Sequence, residues 1–152
     1  MQLAGDPPMR LLLTFQEAFP ASGPQWVLKA PGRDMWIAAN FGADATFTFH
    51  IPDLEAHTSF NYRSARTRST VFNRPLPTWA RYVAGVLIVL REMGMETEGL
   101  QAVLAGSEPA GPRYDYALGI AVAGLCHEVR QQPYTTDSLI ELVEQVRRTY
   151  VT

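Results

Sequence analysis

The sequence predicts an α+β fold in which one β-sheet packs against a layer of helices. Two observations carry this prediction. The first half of the chain holds short segments with β-type alternation or β-branched and aromatic residues, at 46–49 and 58–62, with a turn at Pro52 and Asp53 between them. The second half holds long segments with apolar residues at three- and four-residue spacing. Strands that come first and helices that cover them are typical of a two-layer sheet-plus-helices domain.

Further elements follow from the same patterns. Additional strands are predicted at 68–72 and 101–105, and a helix over 78–93 with Gly94 just beyond its end. Its buried face is expected to hold Tyr82, Val86, Val89, Leu90 and Met93. The next helix is predicted from Asp115 to about 130, with Leu118, Val122, Leu125 and Val129 as its apolar stripe. The last helix is predicted to begin with Thr136 as its cap and Asp137 in its first turn.

Composition favours a single domain. A length of 152 residues with 47% apolar residues is enough for one hydrophobic core. Charged residues make up 18%, below the usual quarter, which predicts apolar or neutral surface that a partner could cover. The formal net charge of −2 provides no basic field for nucleic acid. A local cluster is either a solvated strand face or an anion or RNA patch, and it consists of Arg63, Arg66, Arg68 and Arg74.

The cysteine and histidine residues and the hydropathy argue against a disulfide-bonded, a metal-binding and a membrane protein. Cys126 is the only cysteine, so no disulfide can form within the chain, and its apolar helix predicts a packed thiol. Adjacent helix positions point about 100° apart, so Cys126 and His127 do not form a nucleophile pair. His50 and His57 have no third ligand at metal-like spacing, so no metal site is expected. No signal peptide or membrane-length apolar run is found, which predicts a cytoplasmic protein without a membrane partner.

Four residues, Ala30 to Arg33, belong to a longer pattern. They read APGR, the segment before them reads LLLTFQEAFPASGPQWVLK, and the later segments WARYVAGV at 79–86 and VLAGSEPAG at 103–111 follow in order. This pattern resembles galactokinase and the wider GHMP family of sugar and metabolite kinases. In that family, a helix with paired Phe residues leads into a strand ending in A-P-G-R. A helix with W-x-x-Y-x-x-G-V and a strand running into the phosphate loop come later.

The resemblance implies the N-terminal domain of these kinases, with the fold of ribosomal protein S5 domain 2. It covers nearly the whole chain, so residues 1–152 are expected to form one such domain, with the C-terminal GHMP domain absent.

The resemblance also indicates where a sugar would bind. In galactokinases, A-P-G-R is followed by a Glu-His-x-Asp set, and the corresponding positions counted without gaps are Ala39, Asn40 and Gly42. Asp44 lies two residues beyond the aspartate position. The candidate substrate-binding residues are therefore Arg33, Asn40 and Asp44. Arg33 is the sole candidate for a catalytic contact; alternatively, it pairs with a carboxylate and stabilises the turn at Pro31 and Gly32.

The phosphate loop of the family reads P-x-G-x-G-L-S-S-S-A, and the matching stretch here, 109–118, reads PAGPRYDYAL. The candidate nucleotide-binding residues are Gly106, Pro109, Gly111, Arg113 and Asp115. Pro112 removes an N–H donor and Arg113 replaces a glycine. Asp115, at the predicted helix start, would cap the helix and repel phosphate. Arg113 could instead recruit an anion.

Two functions are consistent with these residues. The first is a degenerate galactokinase-like domain without phosphoryl-transfer activity, with no cofactor, which serves as a binding or interaction module or is a remnant. The second is the N-terminal part of an ATP-dependent sugar 1-kinase of the galactose type. That kinase would use Mg-ATP and be completed by a separate partner chain that supplies the family's G-x-x-x-D-Q segment. In either case, a second copy or a kinase-like partner is expected to cover the face left by the absent domain.

Overall fold

A five-stranded mixed sheet forms the centre of the computed structural model, which describes residues 6–42 and 44–152. The strands are β1 (Trp26–Lys29), β2 (Met35–Gly42), β3 (Phe47–Ile51), β4 (Ala56–Phe60) and β5 (Gly99–Gly106). Their order in the sheet is β1-β2-β5-β3-β4. β3 and β5 are parallel, and the other neighbouring strands are antiparallel.

Helices lie on both faces of this sheet. They are α1 (Met9–Ala18), α2 (Tyr62–Arg66), α3 (Thr78–Glu92), α4 (Pro112–Val129) and α5 (Thr136–Val146), with a 3-10 turn at Pro52–Leu54 and a π-helical turn at Arg147–Val151. The larger core joins α3, α4 and α5 to one face, whereas a smaller core joins α1 to the other. The predicted α+β class is therefore confirmed, with α1 as an additional helix on the second face. None of the helices in the described part of the chain is long and apolar enough to cross a bilayer.

Alternation along the central strands explains the two cores. In β2, Met35, Ile37 and Ala39 belong to the core under α3–α5, whereas Ala38 belongs to the core under α1. β5 alternates in the same way, with Leu104 on the first face and Val103 and Ala105 on the second. Both strands are therefore almost continuously apolar, as expected of central strands that are covered on both faces.

A tight turn formed by Ala30 to Arg33 connects β1 to β2. The Arg33 N–H donates to the Ala30 carbonyl oxygen at 3.3 Å, and Gly32 has a φ of +70°. Proline at the first central position and glycine with positive φ at the second are typical of a type II turn. The predicted turn at Pro31 and Gly32 is thus confirmed.

The predicted strand at 68–72 is wrong. The chain leaves β4 at Phe60, and Asn61 caps α2 through a reciprocal pair of hydrogen bonds with Ser64. The segment that follows forms turns, in which the Thr70 N–H donates to the Arg74 carbonyl oxygen at 2.7 Å. Hydroxyl groups explain the difference, because the Thr70 Oγ1 accepts from the backbone of Phe72 and Arg74 and so favours local turns over a ladder.

Two predicted helix starts and one predicted core residue also need correction. α5 is capped by Thr135, not Thr136, because Thr135 forms the capping box with Ser138. α4 begins at Pro112, three residues before Asp115, since proline is favoured at the first helical position. Met93, predicted to be buried, lies beyond the end of α3 and is 59% exposed.

Gly85 of α3 tests this packing, with Gly124 of α4 as a matched control. A Cβ atom at Gly85 would lie 2.5 Å from Val146 Cγ1 and 2.8 Å from Tyr150 Cδ2, whereas one at Gly124 would have no neighbour nearer than 3.6 Å. We expect Gly85→Ala to lower the free energy of unfolding by about 1–3 kcal/mol through overpacking. Gly124→Ala should be neutral or stabilising by up to about 1 kcal/mol through helix propensity. Urea unfolding of both variants checks this, and equal effects would contradict it.

Candidate functional site

The predicted site residues lie at two opposite ends of the sheet. β2 and β5 pair from Met35 with Gly106 at one end to Gly42 with Gly99 at the other, which is about 25 Å of strand. Arg33, Gly106 and the start of α4 are at the first end. Asp44 follows β2 at the second end. The structure therefore does not bring all of these residues into one site.

One cleft at the first end contains Arg33 and Arg113. It has a volume of about 300 Å³ and is lined by Arg33, Tyr82, Pro112, Arg113, Tyr116, Glu144 and Arg147. The guanidinium carbon of Arg33 lies 5.4 Å from the centre of the Tyr116 ring, so Arg33 stacks on an aromatic side chain. None of the ion pairs among the described residues involves Arg33 and a carboxylate.

The charge of this cleft is predominantly positive. Arg147 donates to Glu144 Oε1 at 2.6 Å from Nη2 and 3.0 Å from Nε, and this pairing lowers the pKa of the Glu144 carboxyl. Burial raises the pKa of both Tyr82 and Tyr116, so both rings are neutral at physiological pH. Three arginines and one glutamate leave an excess of positive charge. The cleft can therefore attract a small anion. No sequence pattern indicated that Glu144 of α5, or Arg147 directly after it, would contribute to this cleft.

Glu108, which the sequence analysis did not single out, is central to the loop between β5 and α4. The Asp34 N–H donates to Glu108 Oε2 at 2.6 Å, and Glu108 Oε1 lies 3.7 Å from Arg113 Nη2. Its side chain is only 9% exposed, and Oε1 is buried without a hydrogen bond. Thus a carboxylate of the protein itself occupies the space beside Arg113. An acidic residue directly before Pro109 was the signal available in the sequence.

The start of α4 differs from the prediction for Asp115. Gly111, with a φ of +107°, leads into the helix, and the Asp115 N–H donates to the Gly111 carbonyl oxygen at 3.1 Å. Asp115 is therefore inside the first turn and does not cap the helix. Burial raises the pKa of its carboxyl.

Gly106 and Pro109 lie on either side of Glu108, at the end of β5 and in the loop that follows it. A Cβ at Gly106 would lie 2.0 Å from the Asp34 carbonyl oxygen, so only glycine allows β2 and β5 to meet here. Pro109 is exposed in the loop.

The side chains of Asn40 and Asp44 also form hydrogen bonds within the protein. Asn40 is 8% exposed; its Oδ1 accepts the Gln25 N–H, and its Nδ2 donates to the Gly23 carbonyl oxygen at 3.0 Å. It thereby holds the segment before β1 against the sheet. Asp44 Oδ1 accepts the Thr46 N–H at 3.1 Å. Ala39, at the position of the family's glutamate, is buried in the larger core.

A second carboxylate, Asp53, connects the elements around the loop. Its Oδ1 accepts Arg10 Nε at 2.5 Å, and its Oδ2 accepts the Gly106 N–H at 2.9 Å and the Tyr114 hydroxyl at 2.5 Å. These donors lower the pKa of Asp53 against the opposing effect of burial. Burial and the bond to Asp53 together raise the pKa of Tyr114. The sequence indicated only a turn at Asp53.

Cys126, His50 and His57 are the other reactive side chains that the sequence analysis considered. In the described ranges, no three residues of the His, Cys, Asp or Glu type are placed to hold a metal ion. Cys126 is fully buried, and burial raises the pKa of its thiol to about 12, which agrees with the predicted packed thiol. His50 and His57 stack on each other across β3 and β4 with ring centres 5.1 Å apart.

Solved kinase structures share this architecture. The crystal structure of Lactococcus lactis galactokinase complexed with galactose superposes with a TM-score of 0.67 and 15% sequence identity, covering 92% of this chain. Two mevalonate kinase structures, one of them from Methanococcus jannaschii, give TM-scores of 0.55 and 0.54, each with 11% identity over 75% of this chain. The chain has the fold of a GHMP kinase N-terminal domain. The resemblance carried by the sequence motifs is thus confirmed as a likeness of fold.

The GHMP-type fold of this chain corresponds to only part of each kinase. It spans 42% of the galactokinase chain and 36% of each mevalonate kinase chain. No protein-family model matches the sequence, and no curated protein matches it either.

Asp53→Asn tests whether the Asp53 contacts stabilise this GHMP-type domain. An ionised carboxyl with a lowered pKa stabilises the fold above its ordinary pKa near 4, and this stabilisation is lost as the pH falls through the lowered value. We expect Asp53→Asn to lower the free energy of unfolding at pH 7 by about 1–3 kcal/mol. The difference from the wild type should shrink below pH 4. Denaturant unfolding between pH 2.5 and pH 7 measures it, with Glu141→Gln, an exposed carboxylate on α5, as the control. A difference that does not change with pH would contradict the role of the charge.

Proposed function

We propose that this chain is a galactokinase-like GHMP domain without phosphoryl-transfer activity of its own, which acts as a binding or interaction module or persists as a remnant. The observation that carries this proposal is the position of Glu108. Its carboxylate lies in the loop before α4, where the family presents glycines and serines to phosphate. An anion of the protein there competes directly with an anionic ligand.

The donors around Glu108 support this proposal. Phosphate binding at a helix start depends on free backbone N–H groups and on nearby positive charge. Here the Asp34 N–H is taken by Glu108 Oε2, and Arg113 faces Glu108 Oε1. Pro112, the first residue of α4, has no N–H to offer. Phosphoryl transfer relies on several such groups acting together, so a loop arranged this way is poorly suited to it.

The residues at the sugar-binding positions of the family lead to the same proposal. The Asn40 amide is used to hold the segment before β1, and Ala39 is part of the core. Among the candidate sugar-binding residues, Arg33 is the one that matches the family's motif and whose charged group borders an open cleft. A single guanidinium can contact an anion or a hydroxyl group but cannot replace an acid and an imidazole.

One observation favours the alternative, an ATP-dependent sugar kinase of the galactose type completed by a partner chain. Arg33, Arg113 and Arg147 border one cleft beside the start of α4, which is a favourable surface for phosphate groups. Mg-ATP would then be the cofactor. A separate kinase-like chain would have to supply the base that accepts the hydroxyl proton. Recovery of such a chain in pull-downs, together with sugar phosphate formation by the reconstituted pair, would favour this alternative.

Binding and activity measurements test the main proposal directly. We expect calorimetric titration of the folded protein with Mg-ATP, and separately with galactose, to give no binding heat. We also expect no sugar 1-phosphate from the purified chain. A circular-dichroism melt first establishes that the sample unfolds cooperatively. Sugar 1-phosphate above the level of a mock preparation would overturn the proposal.

Glu108→Gln tests the physical reason given for the proposed lack of activity. Removing one negative charge beside Arg113 should raise the affinity for tripolyphosphate about fivefold, equivalent to about 1 kcal/mol of relieved charge repulsion. Glu17→Gln removes the same charge from the exposed side of α1 and serves as the control. NMR titration at low ionic strength gives the three affinities. Equal affinities for the two variants would show that Glu108 does not block the loop.

A further inference from the structure

We propose that the pocket between the end of α4 and the start of α5 binds a protonated primary amine. This open pocket has a volume of about 730 Å³, and its polar lining includes His127, Glu128, Gln131, Gln132, Tyr134 and Thr136. Pro31 borders it, whereas Arg33 borders the arginine-lined cleft, so the two concave sites lie on different sides of the 30–33 turn. The proposal does not depend on the function proposed above.

His127 provides a hydrogen-bond acceptor for such a ligand. The residue is only 9% exposed, and its Nδ1 lies 2.7 Å from the Ala123 carbonyl oxygen. A carbonyl oxygen only accepts hydrogen bonds, so Nδ1 donates to Ala123, and in the tautomer with its single proton on Nδ1 the Nε2 atom is an acceptor. Among the described residues, Nδ1 makes the only hydrogen bond of this ring. Nε2 makes no hydrogen bond with the described residues and is not among their buried unpaired atoms, so it is accessible to accept a hydrogen bond from a ligand in the pocket.

Glu128 and Tyr134 supply a positioned carboxylate and an aromatic wall. The Tyr134 hydroxyl donates to Glu128 Oε2 at 2.6 Å, and this bond raises the pKa of Tyr134 to about 12. The bond holds the carboxylate at the pocket and leaves Oε1 for a ligand. The Tyr134 ring lies 5.6 Å from the His127 ring, centre to centre. The face of a tyrosine ring attracts cations.

The charge of the pocket lining favours a cationic ligand over an anionic one. Glu128 is the one charged side chain that lines the pocket within the described ranges, and Gln131, Gln132 and Thr136 add amide and hydroxyl oxygens. Arg130, which is close in sequence, donates instead to the Gly94 carbonyl oxygen at 3.3 Å. A pocket lined by hydrogen-bond acceptors with one negative charge in total disfavours the binding of phosphates and carboxylates. An ammonium group has a positive charge and three donors, which suit a pocket lined by a carboxylate, an imidazole and side-chain amide oxygens.

NMR titration of the ¹⁵N-labelled protein tests the proposal with three probes: putrescine, the lysine analogue Nα-acetyl-lysine methylamide, and the neutral 1,4-butanediol. We expect both amines to shift the amide signals of residues 127–136 with a dissociation constant of about 1 mM. The diol should leave them unchanged. Stronger binding of the lysine analogue would assign the site to a lysine side chain of a partner, and stronger binding of putrescine to a free amine. Absence of shifts with both amines, or equal shifts with the diol, would overturn the proposal.

Variants then identify the groups that bind. Glu128→Gln should weaken putrescine binding about tenfold through loss of the charged partner. Tyr134→Phe keeps the aromatic wall and should weaken it less. Glu141→Gln removes an exposed carboxylate of α5 outside the pocket and should bind like the wild type. Because Glu128 is exposed, its substitution should leave the fold intact, and wild-type affinity in Glu128→Gln would overturn the proposal.

Discussion

The carboxylate of Asp53 holds together the parts of the chain that meet at the loop end of the sheet. It lies in the turn after β3 and accepts hydrogen bonds from α1, β5 and α4, through Arg10, Gly106 and Tyr114. Arg10 also donates to the Gly106 carbonyl oxygen at 2.8 Å. A partly buried carboxylate is costly unless its donors are present together, so these elements stabilise one another or separate together. Helix α1 is thereby tied to the same carboxylate as α4 on the opposite face of the sheet.

This network also determines the geometry of the loop before α4. Gly106 precedes the loop and Tyr114 follows it, and both are held by Asp53. Between them, the Asp34 N–H holds the Glu108 carboxylate beside Arg113. The ends of the loop are thus anchored by the scaffold, while the side chains within it decide which ligand can approach. Such a division explains how one fold accommodates different chemistry, because function depends on the site and not on the architecture.

Patterns of neighbouring residues predicted most of the helices and strands. The features that these patterns did not predict depend on other contacts, mostly between residues that are far apart in the sequence. The three- and four-residue spacing along α3 and the apolar run of β5 are properties of adjacent residues, and both elements lie close to their predicted bounds. The segment at 68–72 has β-branched residues, but the Thr70 hydroxyl favours turns instead. Asp53 and its donors are 43–61 residues apart in the chain, so no sequence spacing could show their meeting. Likewise, Arg147, which directly follows α5, joins Arg33 in one cleft because α5 packs beside α4.

The turn at 30–33 shows why a matching motif is weaker evidence for chemistry than for architecture. Pro31 Cδ would lie 3.7 Å from a Cβ at Gly124, and Thr136 Cγ2 would lie 3.8 Å from one at Gly32, so the turn packs directly on α4 and α5. Arg33 stacks on Tyr116 of α4. These contacts stabilise the turn without any ligand. They also make the turn a boundary between two surfaces of opposite charge preference, with arginines on one side and Glu128 on the other. Both proposed sites therefore depend on side chains that border this turn and not on the motif that forms it.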